Sequence, residues 1–251
     1  MARTCDLNAD LGESYGAWEM GDDLALLDVV SSCNVACGFH AGDPLTLRIT
    51  IQRALARGVA IGAHPSLPDL MGFGRREMAI SADELHAITQ YQVAAVQGMV
   101  AAAGGHLHHV KPHGALYGML ERDSSLAGAF VEAVAALDST LRLYGPPQGA
   151  LRKMAEERRL VYTAEGFADR GYRADGSLVP RRSAGAHLPL DAALAQGLAL
   201  ASGQAVTAQD GARITPMVQT LCVHGDGAEA VRLARGLRRA LSGAGIRIAA
   251  P

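Results

Sequence analysis

The sequence is poor in aromatic side chains and has no long apolar run. Only 4% of its 251 residues are Phe, Trp or Tyr while 49% are hydrophobic, so the core must consist mainly of Ala, Val, Leu and Ile. No stretch approaches the roughly 18 uninterrupted apolar residues that a membrane span requires. No apolar segment of the signal-peptide type lies near the N-terminus. We therefore expect a cytoplasmic protein that does not enter a membrane.

The sequence also lacks a marked excess of either acidic or basic residues. The formal net charge is −2, with no basic stripe and no run of like charges. Nucleic acids and anionic membranes are therefore poor candidate partners. The four cysteines, Cys5, Cys33, Cys37 and Cys222, include no CxxC pair. We expect buried free thiols in a reducing compartment and no cysteine-based zinc site.

Three common ligand motifs are absent. There is no GxxxxGK[ST] motif, which excludes nucleotide binding through a P-loop, and no GxGxxG follows the first predicted strand. The segment DLNADLGES begins like a calcium-binding EF-hand loop, with Asp6, Asn8 and Asp10 at alternate positions. That loop needs Gly at its sixth and Glu at its twelfth position, where this chain has Leu11 and Ala17. The period of two instead predicts three polar side chains on one face of a strand.

Short apolar runs alternate with longer helical patterns along the whole chain. The predicted strands are Thr4–Asn8, Asn34–Cys37, Val59–Gly62, Leu107–Val110, Leu141–Tyr144, Leu160–Thr163 and Thr220–Val223. The predicted helices are Asp22–Val30, Pro44–Arg57, Ala82–Ala103, Ser124–Ala136, Gln148–Arg158, Leu190–Ala201 and Ala228–Leu241. This alternation predicts an α/β fold with a parallel sheet, closed into a barrel of about seven strands. An open, doubly wound sheet is the alternative. No linker divides the chain, so residues 1–251 are expected to form one domain.

Local signals mark where several helices begin and end. Asp43 before Pro44 predicts an N-cap with proline at the first helical position. Ser81 and Glu84 have the spacing of a capping box. Gly58 and Gly104 are predicted stops at the C-terminal ends of two helices.

Titratable side chains follow six of the predicted strands. They are Asp10, Glu13, His40, Asp43, His64, Asp69, Lys111, His113, Tyr117, Glu165, Asp169, Arg170, His224 and Asp226. In a parallel barrel all these strand ends lie on one rim, where active sites are built. Taken singly, each histidine is equally well explained as a hydrogen-bonded structural residue, and Asp43 and Asp226 as helix caps. The collective convergence predicts an active site.

Lys111 is unusual because the chain has only two lysines among 23 basic Lys and Arg residues. It ends a predicted strand and is followed at once by Pro-His-Gly. A cation there would suit a carboxylate, a phosphate or a developing oxyanion. The loop GFGRRE offers Arg75 on a flexible backbone as a second candidate for binding an anion.

Six ordered motifs together resemble the LamB/YcsF family: DLNADLGE, NVACGFHAGD, GVAIGAHPS, HVKPHGALY, FADRGY with ADGSLVPR, and VHGD. The likeness runs from residue 6 to about residue 240. It implies a seven-stranded (β/α) barrel of the glycoside hydrolase/deacetylase type. It also implies cleavage of 5-oxoproline (pyroglutamate) to L-glutamate, coupled to hydrolysis of ATP, with Mg²⁺, to ADP and phosphate. The complex would contain two further subunits, B and C.

The resemblance and the chemistry together suggest roles for individual residues. The expected catalytic residues are Asp10, His40, His64, Lys111, His113 and Glu165. The expected substrate- and phosphate-binding residues are Asn8, Glu13, Arg75, Asp169, Arg170 and His224. Asp10 or Glu165 would activate water, Lys111 would hold negative charge, and His113 or His64 would protonate the departing nitrogen.

A metal site is a further expectation that the deacetylase relationship implies, without deciding whether a metal is present. Its candidate ligands are Asp10, His40, His64 and His224. Two other classes of function remain open: a metal-dependent amide or sugar deacetylase that acts alone, and a non-catalytic subunit that binds substrate and partners.

Overall fold

The computed structural model describes residues 3–225 and 229–251. Its strands are β1 (Thr4–Leu11), β2 (Ser32–Ala36), β3 (Ala60–His64), β4 (Leu107–Val110), β5 (Arg142–Gly145), β6 (Tyr162–Phe167), β7 (Val206–Thr207), β8 (Arg213–Ile214), β9 (Thr220–Val223) and β10 (Arg247–Ile248). Its helices are α1 (Asp23–Leu27), α2 (Pro44–Ala56), α3 (Ala82–Ala102), α4 (Gly114–Arg122), α5 (Ser124–Leu137), α6 (Ala150–Glu157), α7 (Leu190–Ala201) and α8 (Ala230–Gly243).

Seven parallel strands close into a barrel, which confirms the predicted fold. The order is β1-β2-β3-β4-β5-β6-β9, and β9 pairs with β1 to close the ring. The short strand β10 pairs in parallel with the start of β1, and β7 and β8 form a separate antiparallel pair. No helix among the described residues is long and apolar enough to cross a membrane.

The helices begin and end where their local signals indicate. The Asp43 side chain accepts hydrogen bonds from the backbone N–H groups of Leu45 and Thr46 at the start of α2. Ser81 and Glu84 form the predicted capping box of α3. Gly58 and Gly104 take left-handed backbone conformations just past α2 and α3, which glycine adopts without steric cost.

Several barrel strands end later than predicted, and two of them do so by continuing through polar residues. The strand β1 runs on to Leu11 and β6 runs on to Phe167, past the polar residues Asp10 and Glu165. The predicted strands ended at Asn8 and at Thr163, before these two residues. In this chain the barrel interior is polar, so polar residues continue the strand.

Other differences are smaller. The helix α4 was not predicted, and α1 ends at Leu27 rather than at Val30. The short strands β7, β8 and β10 were also missed. The predicted last helix was placed from Ala228, which lies outside the described residues, and α8 is observed from Ala230 onwards.

The alternation along β1 divides the core into two layers. Cys5, Leu7, Ala9 and Leu11 are at most 2% exposed and belong to the apolar cluster of the domain. The intervening Asp6, Asn8 and Asp10 are also buried, at 1%, 0% and 6% exposure. They contact polar groups of other barrel strands, so they face the inside of the barrel.

Candidate active site

The base of the barrel interior is organised by the Asp6 carboxylate. It accepts hydrogen bonds from the hydroxyls of Ser32 (2.7 Å), Thr220 (2.7 Å) and Tyr144 (3.1 Å), and from that of Ser31 (2.6 Å). These donors come from the β2 side, from β9 and from β5, so Asp6 ties together strands across the barrel. With its oxygens occupied, this buried carboxylate has a structural role.

The middle of the barrel is bridged by two asparagines. Asn8 Nδ2 donates to Glu165 Oε1 (3.0 Å) and to Thr220 Oγ1 (2.7 Å). Asn34 Nδ2 donates to Asn8 Oδ1 (2.7 Å) and to Asp10 Oδ1 (2.8 Å). Asn8 was predicted to bind substrate, but its amide is occupied by protein groups and positions the carboxylates. Asn34 was not among the predicted site residues, although it begins the predicted strand Asn34–Cys37.

Lys111 lies at the centre of the site, where its ammonium contacts two carboxylates. Its Nζ atom is 3.0 Å from Asp10 Oδ1, 2.9 Å from Glu165 Oε1 and 3.0 Å from Cys222 Sγ. Burial alone would lower the pKa of Lys111, but the two carboxylates and the Cys222 sulfur raise it well above its ordinary value. All three ammonium protons face protein acceptors. Of the partners predicted for this cation, a carboxylate, a phosphate or a developing oxyanion, the structure shows two protein carboxylates, those of Asp10 and Glu165.

Asp10 is kept ionised by the same contacts. Burial would raise its pKa, but the Lys111 ammonium outweighs burial and holds the pKa well below the ordinary value. The nearer nitrogen of His64, Nε2, is 3.4 Å from Asp10 Oδ1. A carboxylate of this kind orients water well and is a weak proton acceptor.

Three histidines from the ends of β2, β3 and β4 form the opposite wall. The rings of His40 and His113 stack at a centroid distance of 3.7 Å and an angle of 7°. The ring of His64 meets His113 edge-on, with Nε2 of His64 3.0 Å from Nδ1 of His113. Glu13 Oε1 lies 3.4 Å from His40 Nε2 and 3.7 Å from His113 Nδ1. The prediction that these residues share one rim is confirmed.

Backbone carbonyls determine where the protons of this wall lie. His64 Nδ1 contacts the carbonyl of Lys111 (2.7 Å), and His113 Nε2 contacts the carbonyl of Phe73 (2.8 Å). A carbonyl only accepts, so each of these nitrogens carries the ring proton. The facing atoms, His64 Nε2 and His113 Nδ1, then both present lone pairs. With these tautomers neither facing atom carries a proton that a departing nitrogen could receive, which argues against that predicted role.

Burial disfavours a positive charge on two of these rings. It lowers the pKa of both His40 and His113 well below the ordinary histidine value, and the neighbouring histidines lower these values further. Neither ring nitrogen of His40 has a hydrogen-bond partner within the described residues. Buried polar atoms without partners mark a place where a ligand or an ion is expected.

The residues present fit a divalent metal ion. Glu13, His40, His64 and His113 each bring one donor atom within 4.8 Å of the others. Imidazole and carboxylate donors suit zinc and similar ions. Of the four ligands expected from sequence, His224 belongs to a different group, with Asp10 and Cys222. Asp10 adjoins both groups through His64.

The loop from 69 to 74 supports His113 from above. Phe73 has a left-handed backbone (φ 55°) while its carbonyl accepts from His113. Gly114 is also left-handed (φ 59°), and a Cβ atom there would lie 2.4 Å from the carbonyl oxygen of Gly74. The Ala115 N–H donates to that same oxygen (2.8 Å). Glycine is therefore required after His113 for α4 to approach the loop.

A histidine–aspartate pair lies beside the central cluster. Nδ1 of His224 is 3.1 Å from the Asp169 carboxylate, and the His224 ring stacks on Phe167 with centroids 5.4 Å apart. Burial would raise the pKa of Asp169, but His224 lowers it below the ordinary value. The Asp226 of the VHGD motif lies outside the described residues.

Two arginines, Arg170 and Arg75, were predicted to bind an anion. Arg170 is buried and donates to the carbonyls of Ala186 (3.0 Å) and Val179 (2.6 Å), so it secures the loop from 171 to 186. Arg75 is exposed and lies over the ring of Phe73, with its guanidinium carbon 4.8 Å from the ring centroid. Arg75 is therefore on the outer rim, where an anion can still reach it.

Three residues of the site carried little or no signal for sequence reasoning. Cys222 sits within an apolar strand, Phe167 reads as a core residue, and Tyr117 was noted only as part of its motif. The rings of Tyr117 and Phe167 pack edge-on at 5.7 Å, and with Cys222 they form a small buried cluster.

The comparisons with known proteins agree with this architecture. The LamB/YcsF family matches residues 5–251. A protein from Methylococcus capsulatus, named as the A subunit of 5-oxoprolinase, is 51% identical over 100% of this chain and 96% of its own. The protein of the same name from Bordetella pertussis is 51% identical over 98% of each chain.

A solved structure extends the similarity to the fold. The lactam utilization protein of Thermus thermophilus superposes with a TM-score of 0.94 at 42% identity, over 99% of this chain and 100% of that one. A putative cellobiose-phosphate cleavage protein of Enterococcus faecalis, matched over 99% of this chain and 97% of its own, shares the fold alone, with a TM-score of 0.58 at 14% identity. On the family match and the full-length relatives, the chain is a member of the LamB/YcsF family.

Proposed function

We propose that this protein is the A subunit of an ATP-dependent 5-oxoprolinase, which cleaves 5-oxoproline to L-glutamate together with two partner subunits, B and C. The observation that carries the proposal is similarity over essentially the whole chain to proteins named as the A subunit of 5-oxoprolinase. The buried set of carboxylates, lysine and histidines supplies groups of the type that opening an amide ring requires. A cytoplasmic location remains a prediction.

The chemistry explains why ATP is needed. A five-membered lactam is an unreactive amide, and phosphorylation of its carbonyl oxygen makes the carbon open to attack by water. The ring nitrogen then leaves as an amine, and a second water converts the acyl phosphate to a carboxylate. One 5-oxoproline, one ATP and two waters thus give glutamate, ADP and phosphate.

The residues can be given roles in this sequence. Asp10, held ionised beside Lys111, orients the attacking water. His224, oriented by Asp169, is positioned to protonate the departing nitrogen. Lys111 keeps Asp10 and Glu165 fixed on either side of the reacting group.

ATP is proposed to react as a magnesium complex within the assembly. The chain has no P-loop motif, so we propose that the partner subunits hold most of the nucleotide. Arg75, exposed on the rim beside Phe73, would then meet the transferred phosphate.

We further propose that Glu13, His40, His64 and His113 hold a divalent metal ion. When bound, such an ion would polarise the amide carbonyl or lower the pKa of a bound water. Three carboxyl groups are buried in the site, those of Asp10, Glu13 and Glu165, and the Lys111 ammonium contacts only the first and the last of them, so this excess of acidic groups favours an added cation.

The same donor group favours a second candidate, a metal-dependent amide hydrolase that acts alone. Reconstitution separates the two. The chain, expressed with and without the B and C subunits, is assayed for ADP and glutamate formed from 5-oxoproline. We expect activity only with ATP and both partners. Turnover by the chain alone, independent of ATP, would favour the second candidate.

A matched pair of variants tests whether this chain is catalytic. Asp10→Asn in the complex is expected to lower kcat by about 10²-fold, because the attacking water loses the carboxylate that orients it. Asp191→Asn, an exposed aspartate on α7, is the control and should leave kcat unchanged. Parental activity of a folded Asp10→Asn complex would show that this chain only binds substrate and partners.

A further inference from the structure

Two polar atoms on the Glu165 side of Lys111 lack hydrogen-bond partners. The hydroxyl of Tyr117 and the Oε2 atom of Glu165 are buried and have no partner within the described residues. The two side chains belong to residues that are only 9% and 1% exposed. Leaving a buried polar group unsatisfied costs about 1–3 kcal/mol. A pair of such groups therefore indicates that a ligand completes them.

The local structure places both groups on the same side of the site. Tyr117 lies one turn into α4 and packs edge-on against Phe167. Glu165 precedes Phe167 by two positions on β6, so their side chains share one face of the strand. The Glu165 carboxylate is also close enough to Tyr117 to add to the raised pKa that burial gives this phenol.

The hydrogen-bonding character of each group is defined. Tyr117 keeps its proton and is a donor, because burial raises its pKa well above the ordinary value. Glu165 accepts from Lys111 (2.9 Å) and from Asn8 (3.0 Å) through Oε1, which leaves Oε2 as an acceptor. The site therefore presents one donor and one acceptor beside the flat ring of Phe167.

A cis amide is the chemical group that matches this pair. In an open-chain secondary amide, which is trans, the N–H and the C=O point in opposite directions. A five-membered lactam is held cis, so it offers its N–H and C=O along one edge. We propose that the Tyr117 hydroxyl donates to the lactam carbonyl while Glu165 Oε2 accepts the lactam N–H. This assignment rests on the proposed function and specifies how its substrate is recognised.

The arrangement also accounts for the first chemical step. As the carbonyl oxygen bonds to the terminal phosphorus of ATP, the C=O bond becomes single and a C=N bond forms. The proton on nitrogen moves to Glu165 Oε2, and ADP leaves with the electron pair of the broken P–O bond. Glu165 thereby makes the carbonyl oxygen more nucleophilic, and Tyr117 positions the ring.

Three small probes test the recognition without ATP or partners. 2-Pyrrolidinone has the cis N–H and C=O, N-methyl-2-pyrrolidinone lacks the N–H, and N-methylacetamide is trans. Binding to the full chain is followed by ligand-observed NMR titration. We expect 2-pyrrolidinone to bind about tenfold more tightly than either of the others, the worth of about one hydrogen bond. Equal affinities for the three would overturn the proposal.

Substitution of Tyr117 supplies the second arm. Tyr117→Phe retains the ring and should weaken 2-pyrrolidinone about tenfold. Tyr91→Phe, at an exposed tyrosine on α3, is the control. In the reconstituted complex, Tyr117→Phe should lower kcat/KM for 5-oxoproline by a similar factor. An unchanged value in an active complex would remove Tyr117 from recognition while leaving the proposed function intact. Selective lactam binding by an inactive complex would instead refute the proposed function.

Discussion

Nε2 of His64 lies 3.0 Å from Nδ1 of His113, and both atoms present lone pairs because the other nitrogen of each ring faces a backbone carbonyl. Two acceptors this close repel unless a cation lies between them or beside them. The contact therefore implies either a bound metal ion or an additional proton.

The metal alternative predicts a measurable stoichiometry. Metal-free protein titrated with Co²⁺ is expected to bind one equivalent, with visible absorption from imidazole ligands. His113→Gln should weaken Co²⁺ binding by at least roughly tenfold. Loss of a residue that only hydrogen-bonds to a metal ligand already lowers metal affinity by about this factor. His86→Gln, on α3 away from the site, is the control. Identical titrations of His113→Gln and the parent would exclude a metal at this pair.

Lys111 is predicted to be essential for stability as well as for activity. Lys111→Met leaves Asp10 and Glu165 buried without their shared cation, and such a loss typically costs about 3–5 kcal/mol. Urea denaturation should report this decrease in the free energy of unfolding. Lys153→Met, at the other lysine, exposed on α6, should stay within about 0.5 kcal/mol of the parent. Equal stabilities of the two variants would mean that the ion pairs are not formed.

Stability is predicted to fall as the pH drops below about 6.5. Burial lowers the pKa of His109 well below its ordinary value, so the folded chain keeps this ring neutral. The unfolded chain binds a proton at this histidine that the folded chain does not bind. Each such group lowers the free energy of unfolding by up to about 1.4 kcal/mol per pH unit. Above that pH the full stability is retained. His109→Asn should flatten the dependence by this amount, and parallel curves for variant and parent would contradict it.

The Arg170 contacts predict a protease-sensitive variant. Burial, followed by the nearby Arg181, lowers the pKa of Arg170 to about 10, so the guanidinium stays charged at neutral pH. Arg170→Gln removes the bonds to Val179 and Ala186 and should raise the rate of tryptic cleavage within residues 171–186 by about 10–100-fold. Arg48→Gln, on α2, is the exposed control. Unchanged cleavage would show that other contacts hold this loop.

Much of the fold was predictable because its signals are local. Caps such as Asp43 and Ser81 act within one helical turn, and the seven barrel strands are short apolar runs between helices. The helix α4 was missed because glycines at 114 and 118 weaken its propensity. Its position depends on the contact of Ala115 with Gly74, forty-one residues earlier in the chain.

The site was predictable as a rim of titratable groups, but its internal order was not. Lys111 meets Asp10, 101 positions away, and Cys222, 111 positions away, and no local pattern encodes such pairs. The position of a residue at a strand end also does not indicate whether its side-chain donors and acceptors are already bonded to other protein groups. For that reason Asn8, Arg170 and Lys111 were expected to contact ligands, whereas the structure shows them bonded to protein groups.

The polar face of β1 contributes both to the base of the barrel and to the candidate active site. Asp6 bonds to several strands at the base of the barrel, Asn8 bonds to Asn34 in the middle, and Asp10 contacts Lys111 in the candidate site. A continuous chain of hydrogen bonds runs from Asp6 to Asp10 through Thr220, Asn8 and Asn34. We expect a substitution at Asp6 to disturb Asp10 through this chain. We therefore expect substitutions on this face of β1 to change the free energy of unfolding and the activity together, because residues two positions apart on one strand contribute to both.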